Sequence, residues 1–204
     1  METTASERNS RKERENESRR MGESDDPRTS YDEQKFKELI LYIAEKAKDD
    51  PNFGDTKLNK VLFWSDMLAY GHLGEPITGA TYQKLEFGPA ARRLLPARHE
   101  LKRDGDADTV TRGRFYKHRL TVNRRPPDTR LFSTDQLDLV DEVFAMVSGG
   151  TAMEASDFSH EESAGWRLVE IQEDIPYQAI FVSPRKPPPR AFERGRELAA
   201  EHGW

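Results

Sequence analysis

Residues 56–74 read TKLNKVLFWSDMLAYGHLG, and this stretch decides the fold. Leu58, Val61, Leu62, Ser65 and Leu68 recur at helical spacing and make one face. Phe63, Trp64, Met67 and Tyr70 cover much of the other. A helix that is apolar over most of its circumference belongs at the centre of a domain, so the rest of the chain is expected to pack around it. It is predicted to start after Asp55 and to end at Gly71 or Gly74.

Working outward, Ser30 and Glu33 have capping-box spacing. Phe36, Leu39, Ile40, Ile43, Ala44 and Ala47 follow as one helical face, and Pro51 and Gly54 close it. On the other side, GATYQKLEFGP (79–89) holds a short run of period two, with Thr81, Gln83, Leu85 and Phe87 on one face and Tyr82, Lys84 and Glu86 on the other. Pro89 suits the first residue of a helix running from Ala90 to about Arg103, with Pro96 predicting a kink or restart. One or two short strands are expected within residues 104–130, as a hairpin joined to the Tyr82 strand. Ser133 and Gln136 form a second capping box before a helix with Leu137, Val140, Phe144 and Val147, ending at Gly149-Gly150. Thr151 and Glu154 would cap a short helix. WRLVEI and QAIFVS read as short strands, or as a helix and a strand. SPRKPPPR is a polyproline-like linker before a weak terminal helix. The order of elements predicts an α+β fold, a mostly helical single domain with a small antiparallel sheet.

The 204 residues suffice for one domain of ordinary size plus a tail. Residues 1–29 are Arg, Glu and Ser with few large apolar side chains, so they read as a disordered charged tail, either solvated or serving as an interaction arm. Residues 30–183 form the expected domain, and 184–204 the Pro-rich linker and helix. A formal net charge of −5 argues against a nucleic-acid-coating protein. The absence of cysteine excludes disulfides, thiolate metal sites and cysteine nucleophiles. No run of about twenty apolar residues is present, and the first residues lack the apolar core of a signal peptide, so a cytoplasmic location is expected.

Chemistry-bearing patterns are sparse. No two of the five histidines share the His-x-x-x-His spacing of a helical zinc site, so no metal and no cofactor is expected. Gly88-Pro89 is a poor phosphate cradle, with one glycine and a residue that has no N–H. Neither Ser133 nor Ser159 lies in a nucleophile elbow, and the abundant carboxylates of an acidic chain single out no pair. No catalytic residues are assigned. The stretch from Arg92 to Arg130 is basic, including Arg92, Arg93, Arg112, Arg114, Lys117 and Arg119, with Phe115, Tyr116 and His118 interleaved. It could grip nucleic acid, meet an acidic protein surface, or be a solvated face neutralised by Asp104, Asp106, Asp108 and Asp128.

Three blocks in order carry a family resemblance. TKLNKVLFWSDM resembles the Lys-Leu-x-Lys-x-Leu-Phe helix of the Panacea-domain, SocA-like antitoxins. TGATYQKLEFGPAAR resembles their Tyr-x-Lys-x-x-x-Gly-Pro segment. SHEESAGWRLVEI followed by IPYQAIFVS is similar to their closing region. The resemblance implies a bacterial or phage toxin–antitoxin role in which a cognate toxin, encoded by the adjacent gene, is neutralised by direct binding. It also implies an alternative, an adaptor that hands the toxin to a ClpXP-type protease; the basic stretch itself leaves open a second, a nucleic-acid-binding regulator using residues 92–130. The family-motif residues are Lys57, Lys60, Tyr82, Lys84, Gly88, Pro89, His160 and Trp166, which read first as structural residues, with a nearby partner interface as the alternative. No membrane partner is implied, and a nucleic-acid partner is disfavoured.

Overall fold

The computed structural model describes residues 27–50, 52–112, 118–149, 163–183 and 189–203. Among them are six α-helices and two separate two-stranded antiparallel sheets, an α+β architecture that is mostly helical. None of these helices is long and apolar enough to cross a membrane.

Residues 56–73 lie within the central helix. Helix α1 covers Glu33–Lys46 and α2 covers Asp55–Leu73, which ends where Gly74 turns left-handed at φ 85. Val61, Leu62, Phe63, Met67 and Ala69 are essentially inaccessible, as are Phe36, Leu39, Ile40 and Ile43 of α1. Helix α2 packs against α1 and against the later helix α4 (Thr134–Ser148), so its apolar sides each find a neighbour. Helix α4 opens on the Ser133–Gln136 capping box with both reciprocal bonds present, as its sequence predicts.

The entry to α1 differs from expectation. Asp32, not Ser30, is the cap, its carboxylate accepting from the Lys35 amide at 2.9 Å. The reason is tertiary. The Asp32 amide donates to the Thr78 carbonyl at 2.8 Å, which ties Asp32 to the 78–79 loop. Glu33 pairs with Lys37 at 2.7 Å instead of reaching back to a cap.

The Gly88-Pro89 segment is a second correction. It does not start a helix; strand β2 (Gly88–Ala91) pairs antiparallel with β1 (Tyr82–Leu85), with Lys84 opposite Pro89. Glu86 and Phe87 make the turn, and Gly88 takes the positive φ of 110 that completes a tight hairpin. The register explains the proline. The Arg92 amide bonds the Thr81 carbonyl, so alternate residues Ala90 and Gly88 face β1 while residues 89 and 91 face outward. The outward Ala91 amide is taken by the Asn59 side chain at 2.9 Å, and proline fits the other outward position because no ladder bond is required of it. Helix α3 begins later, at Leu94–Arg103. Pro96 is its third residue, where a missing N–H leaves no helical bond unmade, so it neither kinks nor restarts the helix.

Strands β3 (Ala107–Arg112) and β4 (His118–Asn123) pair with each other rather than with the Tyr82 strand. Their ribbon packs on α1 and α3. It is fastened by Arg125, whose guanidinium donates to buried Glu38 of α1 at 2.6 and 3.0 Å and to Asp106 at 2.9 Å. Toward the C-terminus, WRLVEI (166–171) supplies only the last three residues of the short helix α5 (Ala164–Leu168), and QAIFVS (178–183) gives its first four residues to a 3₁₀ turn over 177–181 rather than to a strand. The extended pairing falls between them: Gln83 of β1 bridges Asp174, so residues 172–175 flank β1 on the side opposite β2. Helix α6 spans Pro189–His202. The short helix expected after Thr151 lies outside the described residues.

Candidate functional site

The hairpin β1–β2 stands on a buried polar cluster. Asp66 of α2 is wholly inaccessible, one of few charged groups in the core. Its carboxylate accepts from the Thr78 amide at 2.8 Å, the Thr78 hydroxyl at 2.5 Å, the Tyr82 hydroxyl at 2.7 Å and the Tyr177 hydroxyl at 3.3 Å. Tyr177 is closer to the Ala80 carbonyl, at 2.6 Å. Burial pushes the Asp66 carboxyl above its ordinary range, opposed by these four donors. Burial and the neighbouring carboxylate push both tyrosines well above theirs, so both stay as O–H donors. The cluster unites α2, the loop before β1, β1 itself and the 177–181 turn. A full set of partners is what permits such a group in an apolar interior.

At the other end of the hairpin, long side chains satisfy backbone carbonyls. Lys60 of α2 is 1% exposed and donates to the Phe87 carbonyl at the tip, at 2.6 Å. Burial lowers its ammonium to about 8. Trp166 of α5 donates its indole N–H to the Leu85 carbonyl at 3.2 Å. Lys84 of β1 reaches the opposite way, to the Val169 carbonyl at 2.8 Å, with its ammonium 4.5 Å from the Trp166 ring centre. The Gln172 amide returns a bond to the Lys84 carbonyl at 2.8 Å. Residues 166–172 are thus strapped to the hairpin tip. Lys60, Tyr82, Lys84, Gly88, Pro89 and Trp166 all lie on this hairpin or against it.

Lys57 does not. One helical turn before Lys60, it is 3% exposed and joins the α1–α2 loop to the end of α4 through Asp50 at 3.1 Å and the Ser148 carbonyl at 3.4 Å. His160 lies outside the described residues, as do Arg114 and Lys117, and nothing of the Arg112 side chain is described. Of the basic stretch that is described, Arg92 pairs with Asp174 at 2.6 Å, Arg119 with Asp55 at 3.5 Å, and Arg98 also with Asp55. Arg124 pairs with Asp108, and Arg130 with Asp128 at 2.7 Å. Arg93 lies over the Tyr31 ring, 5.5 Å from its centre. These guanidiniums are scattered over several partners rather than gathered on one open face. Among the described residues no group of three or more His, Asp or Glu side chains could hold a metal ion.

Sequence reasoning missed Asp66, Thr78 and Tyr177 as one unit, and Glu38 with Arg125 as another. The one available signal for the first was an aspartate placed inside an otherwise apolar helix, which demands buried donors from elsewhere.

A family model matches this chain over residues 58–167, described as antitoxin SocA-like, Panacea domain. No curated protein and no solved structure matches it. The match begins in α2, takes in the whole hairpin and ends within α5, and so covers the tip, its Lys60 brace and Trp166 of the strap. Spanning more than half of the residues, it places the chain in the SocA-like, Panacea-domain antitoxin family.

Proposed function

We propose that this protein neutralises a cognate toxin, encoded by the adjacent gene, through direct protein–protein contact, and that it does so without catalysis. The observation that carries the reading is the family match across the central helix and hairpin. The surroundings are consistent with it. The site is a braced backbone turn, and its polar side chains are spent on carbonyls and on one another rather than aimed at an open cavity. Pairing of Arg92, Arg98, Arg124 and Arg130 with carboxylates favours a protein partner over a phosphate backbone, which requires unneutralised cations.

Co-expression tests the proposal. The neighbouring reading frame should arrest growth when expressed alone and be harmless together with this chain. Rescue should persist in cells lacking ClpXP, since occlusion needs no protease. A neighbour that is harmless alone would remove the reading. Rescue that vanishes without the protease would replace it with the adaptor alternative.

A further inference from the structure

We propose that the toxin docks on the hairpin tip and its strap, with Phe87, Leu168 and Ile171 as the apolar centre and Glu86, Glu170 and Glu173 as an acidic rim. The fitting partner is a protein surface with an apolar contact set among lysines and arginines. This deepens the antitoxin reading and rests on it.

Three observations support the assignment. First, Phe87 is 68% exposed, Leu168 71% and Ile171 55%, among the most exposed large apolar side chains of the described residues. Apolar side chains gathered in the open mark interaction surfaces, whereas scattered ones carry no such meaning. These three are gathered by the chain's own bonds. Leu168 lies between Trp166 and Val169, which hold Leu85 and Lys84, and Ile171 precedes Gln172, which bonds Lys84. Phe87 sits two residues beyond Leu85 and is anchored by Lys60.

Second, the surface is built before any partner arrives. The Phe87, Leu85, Lys84 and Val169 carbonyls are each taken by a donor from another segment. A preorganised tip loses little conformational freedom on docking. The residues marked by the family resemblance therefore act as positioning residues beneath the contact rather than as the contact.

Third, the charge around the centre is one-sided. Glu86, Glu170 and Glu173 are exposed, against Arg167 on the same strap. Arg92 is turned onto Asp174, and Lys84 onto Trp166 and Val169. An acidic rim steers a basic partner and rejects an acidic one.

The test measures binding of the full chain to the purified product of the adjacent reading frame. Leu168→Asp with Ile171→Asp should weaken the complex by about 30-fold or more, as loss of a contact centre does. Met146→Asp, on α4 and 57% exposed, should leave binding unchanged. Glu86→Lys with Glu170→Lys should slow association and flatten its salt dependence. Should the double aspartate variant melt early, this rim reversal decides. Binding by the aspartate variant within about threefold of wild type, with the fold intact, would overturn the surface, as would a rim reversal that leaves association unchanged or faster. Failure of the wild-type chain to bind would overturn the antitoxin reading itself, and the surface with it.

Discussion

At residue 79 only glycine fits. Its φ is 66, and a Cβ there would stand 2.2 Å from the Ser30 carbonyl oxygen and 2.9 Å from that of Thr29. The obstruction is backbone, so no side chain can step aside. Gly79→Ala is expected to cost more than about 2 kcal/mol in urea unfolding, combining left-handed strain with displacement of the segment that starts α1. Tyr82→Phe removes one of four donors from a buried carboxylate and should cost about 1–3 kcal/mol by the same measurement. Lys60 supplies a prediction in pH. Its native ammonium titrates near 8 because of burial, below the 10.5 of a free lysine. Between those values the unfolded chain holds a proton that the native chain has released, so this group makes stability rise with pH across about 8 to 10.5 and contributes no slope below. Chemical denaturation of wild type against Lys60→Met should show that difference. A flat difference across the window would mean that the ammonium remains solvated.

At the scale of elements, helices were legible where periodicity and caps agreed. Ser133 and Gln136 announced α4 correctly, and Ser133→Ala should lower stability by about 1 kcal/mol. Ser30 and Glu33 offered the same pattern and lost to the Asp32–Thr78 backbone bond, a contact across 46 residues that no local window contains. Gly88-Pro89 was misread for a related reason. Proline is as acceptable at an outward position of a hairpin strand as at a helix start, and only the register separates the two. Arg125 fastens the end of the β3–β4 ribbon to α1. Arg125 bonds Glu38, which is 5% exposed, and its guanidinium is held well above its ordinary range by Glu38 and Asp106. Arg125→Ala would leave Glu38 with the Asp128 amide as its remaining donor, at 2.7 Å. A loss of about 1–3 kcal/mol is expected, since Glu38 is buried while Arg125 is partly solvated, with hydrogen exchange accelerating first in residues 107–112 and 118–123.

Across the whole molecule, α2 links the scaffold to the candidate surface. Its first turns fasten α4 through Lys57 and brace the hairpin tip through Lys60, and its middle supports the hairpin base through Asp66. The sequence marked Lys60, Tyr82, Lys84 and Trp166 only as members of a familiar pattern. Their roles were not legible because each donates to an acceptor well away along the chain: Lys60 to the Phe87 carbonyl, Tyr82 to the Asp66 carboxylate, Lys84 to the Val169 carbonyl and Trp166 to the Leu85 carbonyl. The exposed centre was less legible still, since Leu168 and Ile171 lie in a segment, WRLVEI, that reads as strand or helix, and neither reading shows that both side chains are exposed. Isothermal titration of the purified chain with the purified product of the adjacent reading frame, with no protease or nucleic acid present, should give saturable binding with Kd below about 1 μM. Neutralisation in cells combined with no detectable association of the purified pair would contradict it.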